Sequence, residues 1–498
     1  MEGFIQIISR INDAVGNFVW GLPMLVLLVG TGILMTVLTG FFQISHFKHW
    51  VSKTIGAVFT DREVTAHTEK HDKAISQFQS LCTALAATIG TGNIAGVSAA
   101  IVSGGPGSIF WMWIVSFFGM MTNYSENVLG IFYRRKNSEN EWCGGAMYYL
   151  SDGLGSKKGC KLISRILAVL FSIFCTLAAF GIGNMSQVNT IATNMTTVFG
   201  IPAYITGFVL MILAGLVIIG GIKRIGAVTE KIVPFMAVAY IIGAFIVVFA
   251  HAGQIPAAFA SIFRGAFAAR AVGGGIVGYG IKQAVTWGMK RGVFSNEAGL
   301  GSSVMVHSAS NIREPVIQGM WGIFEVFADT IIVCTLTALT ILTSGAVDLN
   351  TGTMVSSLEQ TALVSEAFST VFGRFGAVFI AIAILLFAFS TVLGWSQYGT
   401  RSFEYLFGTR STIIFRVVFV VFVLLGSTMD LKLAWALSDT FNGLMAIPNL
   451  IGVLSCAATV LAITRNYTDR VLHGKDLKPM YSAFPEIQAA QEAEERKN

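Results

Sequence analysis

Charge is what this chain has least of. Only 12% of its 498 residues are Asp, Glu, Lys or Arg and 54% are hydrophobic, where an ordinary soluble domain carries roughly 25% charged residues. That excludes a water-soluble globular protein, and apolar runs long enough to span a bilayer, about 20 residues, recur along the whole length. Paired cysteines are missing too. Cys82, Cys143, Cys160, Cys175, Cys334 and Cys456 are scattered without CxxC or histidine-paired spacing, which argues against a zinc site or a disulfide framework and leaves them as small packing residues. The seven histidines include no HExxH, and no GxSG paired with histidine lies in a span, so an intramembrane enzyme finds no nucleophile or metal constellation here. No basic stripe interleaved with stacking aromatics appears, so the net charge of +6 does not imply nucleic acid. The first apolar run, 18–42, is too long for a signal-peptide core and lacks a basic leader and a small-residue cleavage site; it reads as a retained helix.

What is present is a polytopic all-α pattern. Eleven spans are expected, at roughly 18–42, 76–102, 107–133, 162–195, 201–221, 228–252, 257–290, 315–344, 376–407, 411–428 and 433–464. Lysine and arginine accumulate on the cytoplasmic side of short loops. With the amino terminus outside, 27 of the 33 fall on that side, and the carboxyl terminus is then cytoplasmic. Residues 43–75 read as an amphipathic interfacial helix with a charged turn, 352–372 as a helical outer cap, and 465–498 as a polar, partly disordered tail.

Two spans carry glycine where a helix should run unbroken. The stretch ATIGTGNIAG at 87–96 places Gly90, Gly92 and Gly96 mid-span with Thr91 and Asn93 between them. Each such glycine costs about 1 kcal/mol relative to alanine, and a freed backbone group in hydrocarbon costs several. Close helix packing accounts for the alanines around it but not for the polar pair. The seventh span repeats the feature at Gly273, Gly274 and Gly275. The two spans cross in opposite directions, and broken helices at corresponding places in two inverted halves point to a secondary transporter with its site between them. The halves are 76–252 and 253–464, after a first segment of 1–75 and before the tail. The half-helix starting near Asn93 offers free N–H groups and a positive dipole end for a carboxylate. Carbonyls of Ala86 to Ile89 suit a sodium ion or an ammonium group, and together these describe a zwitterion site.

The motifs GTGNIAGV (90–97), GGPGSIFWMW (104–113), GGAMYYL (144–150), RGVFSNEAGLGSS (291–303) and PVIQG (315–319) resemble the alanine or glycine:cation symporter family over about residues 76–407. One departure is Ser108, where a common family form has alanine. The resemblance implies a LeuT-like fold of five plus five inverted helices after one extra helix, and sodium-driven uptake of alanine or glycine across the cell membrane. The bilayer is the surrounding medium, and no obligate protein partner is implied. By the same resemblance, Thr91 and Gly92 N–H groups with the Asn93 side chain hold the substrate carboxylate, and Gln187 hydrogen-bonds the substrate. Carbonyls around Gly274, Gly275 and Ile276 face its amino group, and Trp395 walls off larger side chains. Sodium is implied at the carbonyls of Ala86 and Ile89 with the hydroxyls of Ser390 and Thr391, hard oxygen donors suited to such a cation.

Intramembrane acids are functional candidates by default. Glu126, Asp439 and the i, i+4 pair Glu325 and Asp329 are read mainly as structural partners, and Glu297 is placed in a cytoplasmic loop, as a helix cap or a gate contact with Arg291. A proton-coupled carrier or an exchanger on the same fold is the alternative. Such a carrier would place a lysine or carboxylate where Ser390 and Thr391 stand.

Overall fold

The computed structural model describes residues 2–69, 72–267, 279–429 and 432–495. It is all-α apart from a two-residue hairpin pairing Arg135–Lys136 with Trp142–Cys143. The chain opens with α1 (Glu2–Val19) and α2 (Leu22–Leu38). Then come the broken pair α3 (Gln77–Thr88) and α4 (Val97–Gly104), and the long α5 (Gly107–Phe132). The middle holds α6 (Lys161–Phe180), α7 (Ser186–Phe199), α8 (Ala203–Ile218), α9 (Gly221–Ala250), α10 (Ile255–Phe267) and α11 (Tyr279–Asn296). The remainder is α12 (Pro315–Val326), α13 (Thr335–Thr343), α14 (Gln360–Phe372), α15 (Arg374–Phe407), α16 (Thr412–Thr428), α17 (Lys432–Ser455), α18 (Ala457–Tyr467) and α19 (Pro485–Glu495).

Local signals set several starts. Ser76 and Gln79 form a reciprocal cap on α3: the Gln79 amide donates to Ser76 Oγ (3.1 Å) and the Ser76 amide to Gln79 Oε1 (3.2 Å). Pro315 opens α12 at a position that needs no N–H donor.

Polarity is inverted relative to a soluble protein. Phe208, Leu216, Phe235, Phe249, Ile414 and Val417 are exposed, while Asn93, Asn123, Gln318, Glu325 and Asp329 are completely buried. An apolar exterior around a polar interior suits lipid. Among the described residues, six helical stretches are long and apolar enough to cross a membrane, and eight if each sharply bent pair counts as one span. The bent pairs are Gln77–Thr88 with Gly92–Gly104 (49°) and Ala436–Ser455 with Ala457–Leu472 (57°). The protein is a multi-pass membrane protein.

The first glycine cluster therefore breaks its helix, as expected. The second, Gly273 to Gly275, lies outside the described residues. The structure does correct the reading of the chain after it, for RGVFSNEAGLGSS is no terminal loop. The segment runs inside the bundle alongside α5. A Cβ on Gly292 would meet Val115 at 2.7 Å, one on Gly119 would meet Ala298 at 3.0 Å, and one on Gly130 would overlap Val304. Helix α11 stops at Asn296, residues 297–303 are not helical, and one turn resumes at Val304–His307. Glu297 (φ 57°), Gly299 (φ 91°) and Gly301 (φ 74°) are left-handed, a geometry that no run of right-handed helix tolerates.

Two smaller expectations also change. Residues 42–65 fold as four short helices rather than one. The tail folds back on the bundle: Ala483 donates its amide to the Phe132 carbonyl (2.9 Å), and Arg470 pairs with Glu314 (2.5 Å).

Candidate functional site

Helix α3 ends because Ile89 leaves helical space (φ −78°, ψ 88°). The turn that follows closes on itself: the Gly90 amide donates to Asn93 Oδ1 (2.9 Å), and the Asn93 amide to the Gly90 carbonyl (3.3 Å). A wide π-type turn over Gly92–Gly96 then leads into α4. Thr91 and Gly92 thus stand at the head of a new helical segment, where first-turn amides have no acceptor within the helix.

The partner element is α15. Thr391 Oγ1 lies 3.0 Å and Ser390 Oγ 3.4 Å from the Ala86 carbonyl, and both hydroxyls also reach the Phe387 carbonyl one turn back (3.0 and 2.8 Å). Such closeness depends on missing side chains. A Cβ on Gly90 would overlap Thr391 Oγ1, and one on Gly394 would sit 2.7 Å from Ala87 Cβ. Three of the four residues proposed for sodium, Ala86, Ser390 and Thr391, are therefore in mutual contact. The fourth, Ile89, is the residue that ends α3.

Beside this contact is a cavity of about 20 Å³ whose wall includes Thr91, Gly92, Gln187, Phe294, Glu297 and Trp395. That is room for roughly one water, so an amino acid would require the walls to part. Three polar atoms of residues at the wall, Thr91 Oγ1, Gln187 Oε1 and Asn442 Oδ1, are buried and lack a hydrogen-bond partner. Leaving such an atom unpaired costs about 1–3 kcal/mol, a cost that a polar ligand in the cavity would remove. Gln187 is fixed by its other amide atom: Nε2 donates to the Ile182 carbonyl (3.0 Å), inside the π-type turn Gly181–Met185 that precedes α7. Trp395 is 3% exposed and lies against Gly183, where a Cβ would collide with its ring.

Asn93 points elsewhere. Its Nδ2 donates to Asp329 Oδ1 (2.6 Å), so the side chain clamps the break rather than facing the cavity. Asp329 also accepts from Ser295 Oγ (3.2 Å) and from Thr330 Oγ1 (2.7 Å). It thereby ties the first break to the end of α11. Glu325, one turn away, takes different partners, His307 Nε2 at 3.0 Å and Asn123 Nδ2 at 3.2 Å. Gly274, Gly275 and Ile276 lie outside the described residues. Among the described residues, Phe294 and Glu297 face the first break across the cavity, and neither is among the expected substrate or sodium residues. The signal was in the motif itself: FSNEAGLG combines a carboxylate with two glycines.

Broken helices around a small polar cavity, in a bundle with an apolar exterior, are the architecture of a LeuT-like membrane transporter. The solved structure of MhsT in complex with L-phenylalanine shares the fold at TM-score 0.52 and 12% identity, covering 79% of this chain and 99% of that one. The model of the sodium:alanine symporter family matches residues 5–481. The sodium/alanine symporter AgcS of Methanococcus maripaludis is 44% identical over 466 residues, 94% of this chain and 98% of that protein. The probable sodium/glutamine symporter GlnT of Bacillus subtilis is 34% identical over 472 residues, 95% and 93% of the two chains. The chain belongs to the sodium:alanine symporter family.

Proposed function

We propose that this protein imports alanine or glycine together with Na⁺ by alternating access across the cell membrane, with its amino terminus outside and its carboxyl terminus in the cytoplasm. The observation that carries the reading is the convergence of Ser390 and Thr391 on the Ala86 carbonyl, immediately beside the cavity that holds unpaired Thr91 and Gln187. Sodium is bound by the carbonyls of Ala86 and Ile89 and the two hydroxyls. The substrate carboxylate is met by the amides of Thr91 and Gly92, with Asn93 fixing that turn. Gln187 Oε1 accepts from the substrate, and the carbonyls of Gly274, Gly275 and Ile276 are assigned to its amino group. Trp395 and the small volume reject larger side chains, although one methylene in an apolar pocket is worth only about 1–3 kcal/mol. The inverted halves are residues 76–252 and 253–464, and their relative motion opens the site to each side in turn.

The test is uptake of radiolabelled alanine into proteoliposomes with and without an inward sodium gradient. Accumulation that requires sodium is the expected result. Uptake that ignores sodium and follows an imposed pH gradient would replace this reading with proton coupling.

A further inference from the structure

The cavity wall contains one acidic side chain, Glu297, and among the described residues no cation pairs with it. Glu297 is 3% exposed. The nearby cations are engaged otherwise: Lys290 pairs with Asp439 at 2.7 Å, and the Arg291 guanidinium stacks over Trp287 and Phe294. The hydrogen-bond partners of Glu297 are neutral: Ser302 Oγ donates at 2.6 Å, the Trp395 indole also hydrogen-bonds the carboxyl group, and the Tyr398 hydroxyl lies close by. A buried carboxylate without a cationic partner is costly. The backbone adds to that cost, since Glu297 is one of four non-glycine residues with positive φ among the described residues. Glycine, present two and four residues later, would relieve the backbone at once. A carboxylate kept at a strained, buried position on a cavity wall is kept for what enters the cavity.

Across that cavity stand the amides and dipole end of the first break. One broken helix offers a positive end, and the other offers a negative charge. We infer that Glu297 is the counter-charge for the ammonium group of the transported amino acid, with Gln187 Oε1 as a second acceptor, and that it makes the site select zwitterions over simple carboxylates. This rests on the amino-acid reading above.

The test uses equilibrium binding of radiolabelled alanine to the full-length protein in detergent, with melting temperature recorded with and without sodium. Glu297→Gln preserves shape and removes charge; Glu297→Gly removes the side chain and suits the left-handed backbone. Both variants are expected to bind alanine at least about a hundredfold more weakly, as for a buried charge pair losing one partner, while keeping the sodium-induced rise in melting temperature. Wild-type-like alanine affinity in either variant overturns the inference. So does loss of the sodium response together with alanine binding in both, which marks a structural role. A wild-type protein that binds sodium but no alanine overturns the amino-acid reading itself, and this inference with it.

Discussion

The two helix breaks are built by opposite means. At the first, the backbone keeps mostly ordinary angles and the turn is held by a side chain, Asn93, which bonds Gly90 on one side and Asp329 on the other. At the second, three left-handed residues force the chain out of helix, and other elements hold it from outside: the Asn449 amide donates to the Gly299 carbonyl at 2.9 Å. The first break is organised around what touches it, the second around its own dihedral angles. Glycine thus serves close approach at Gly90 and conformational freedom at Gly299 and Gly301, and the same residue type should fail differently in the two places.

The largest effect is expected at Gly90. A methyl group there overlaps Thr391 Oγ1, so Gly90→Ala should fold yet lose sodium-driven alanine uptake by roughly a hundredfold, the cost of an ångström-scale misplacement. Gly299→Ala is the counterpart: it should lower stability by more than about 1 kcal/mol, from a strained φ, while the protein that remains folded transports normally. Transport lost at Gly299 and kept at Gly90 would invert the comparison. Next is Asn93→Ala, which strips partners from both the Gly90 amide and Asp329. About 1–3 kcal/mol of stability and alanine binding should disappear together, read by thermal melting and equilibrium binding. Thr391→Ala should raise the sodium concentration for half-maximal uptake by up to roughly tenfold, the worth of one hydrogen-bonding group. An unchanged sodium dependence removes Thr391 from the ion site. The smallest change in transport is expected from Asn296→Ala, which loses the bond to the Ala298 amide (3.0 Å) at the second break and the Nδ2 bonds to Ser116 Oγ (2.9 Å) and Thr330 Oγ1 (3.1 Å). It should cost about 1–3 kcal/mol of stability with uptake per folded molecule preserved.

Much of the first break was legible in sequence because its signal is local. Glycines beside Thr91 and Asn93 announce both the interruption and the polar atoms that exploit it. Thr391 and Gln187, far away in sequence, were placed by the family resemblance, and the structure brings both to the cavity wall. The interruption at 297–303 went unread because glycine density was used as the marker, and the densest run, 273–275, lies outside the described residues. Three consecutive glycines signal freedom, but the observed interruption needs positive φ at alternating positions, which Glu297, Gly299 and Gly301 supply with fewer glycines. Glu297, with Lys290 and Arg291 shortly before it, made the segment read as a cytoplasmic loop. Lys290 and Arg291, counted with the cytoplasmic loops, in fact lie beside the first turns of α5, at the end expected to be outside, which weakens the loop bias without reversing it. The tail was misjudged for a similar reason: polar composition suggests a solvated chain, yet Tyr481 and Gln491 are buried against the bundle.

Gly394 leaves α15 with no spacer against α3, where Ala87 is its immediate neighbour. At that seam the width of the gap between two helices and the coordination of a bound cation become a single variable. Under the proposed ion site, an ion lodged there would act as a rivet, and its departure would free α3 and α15 to slide.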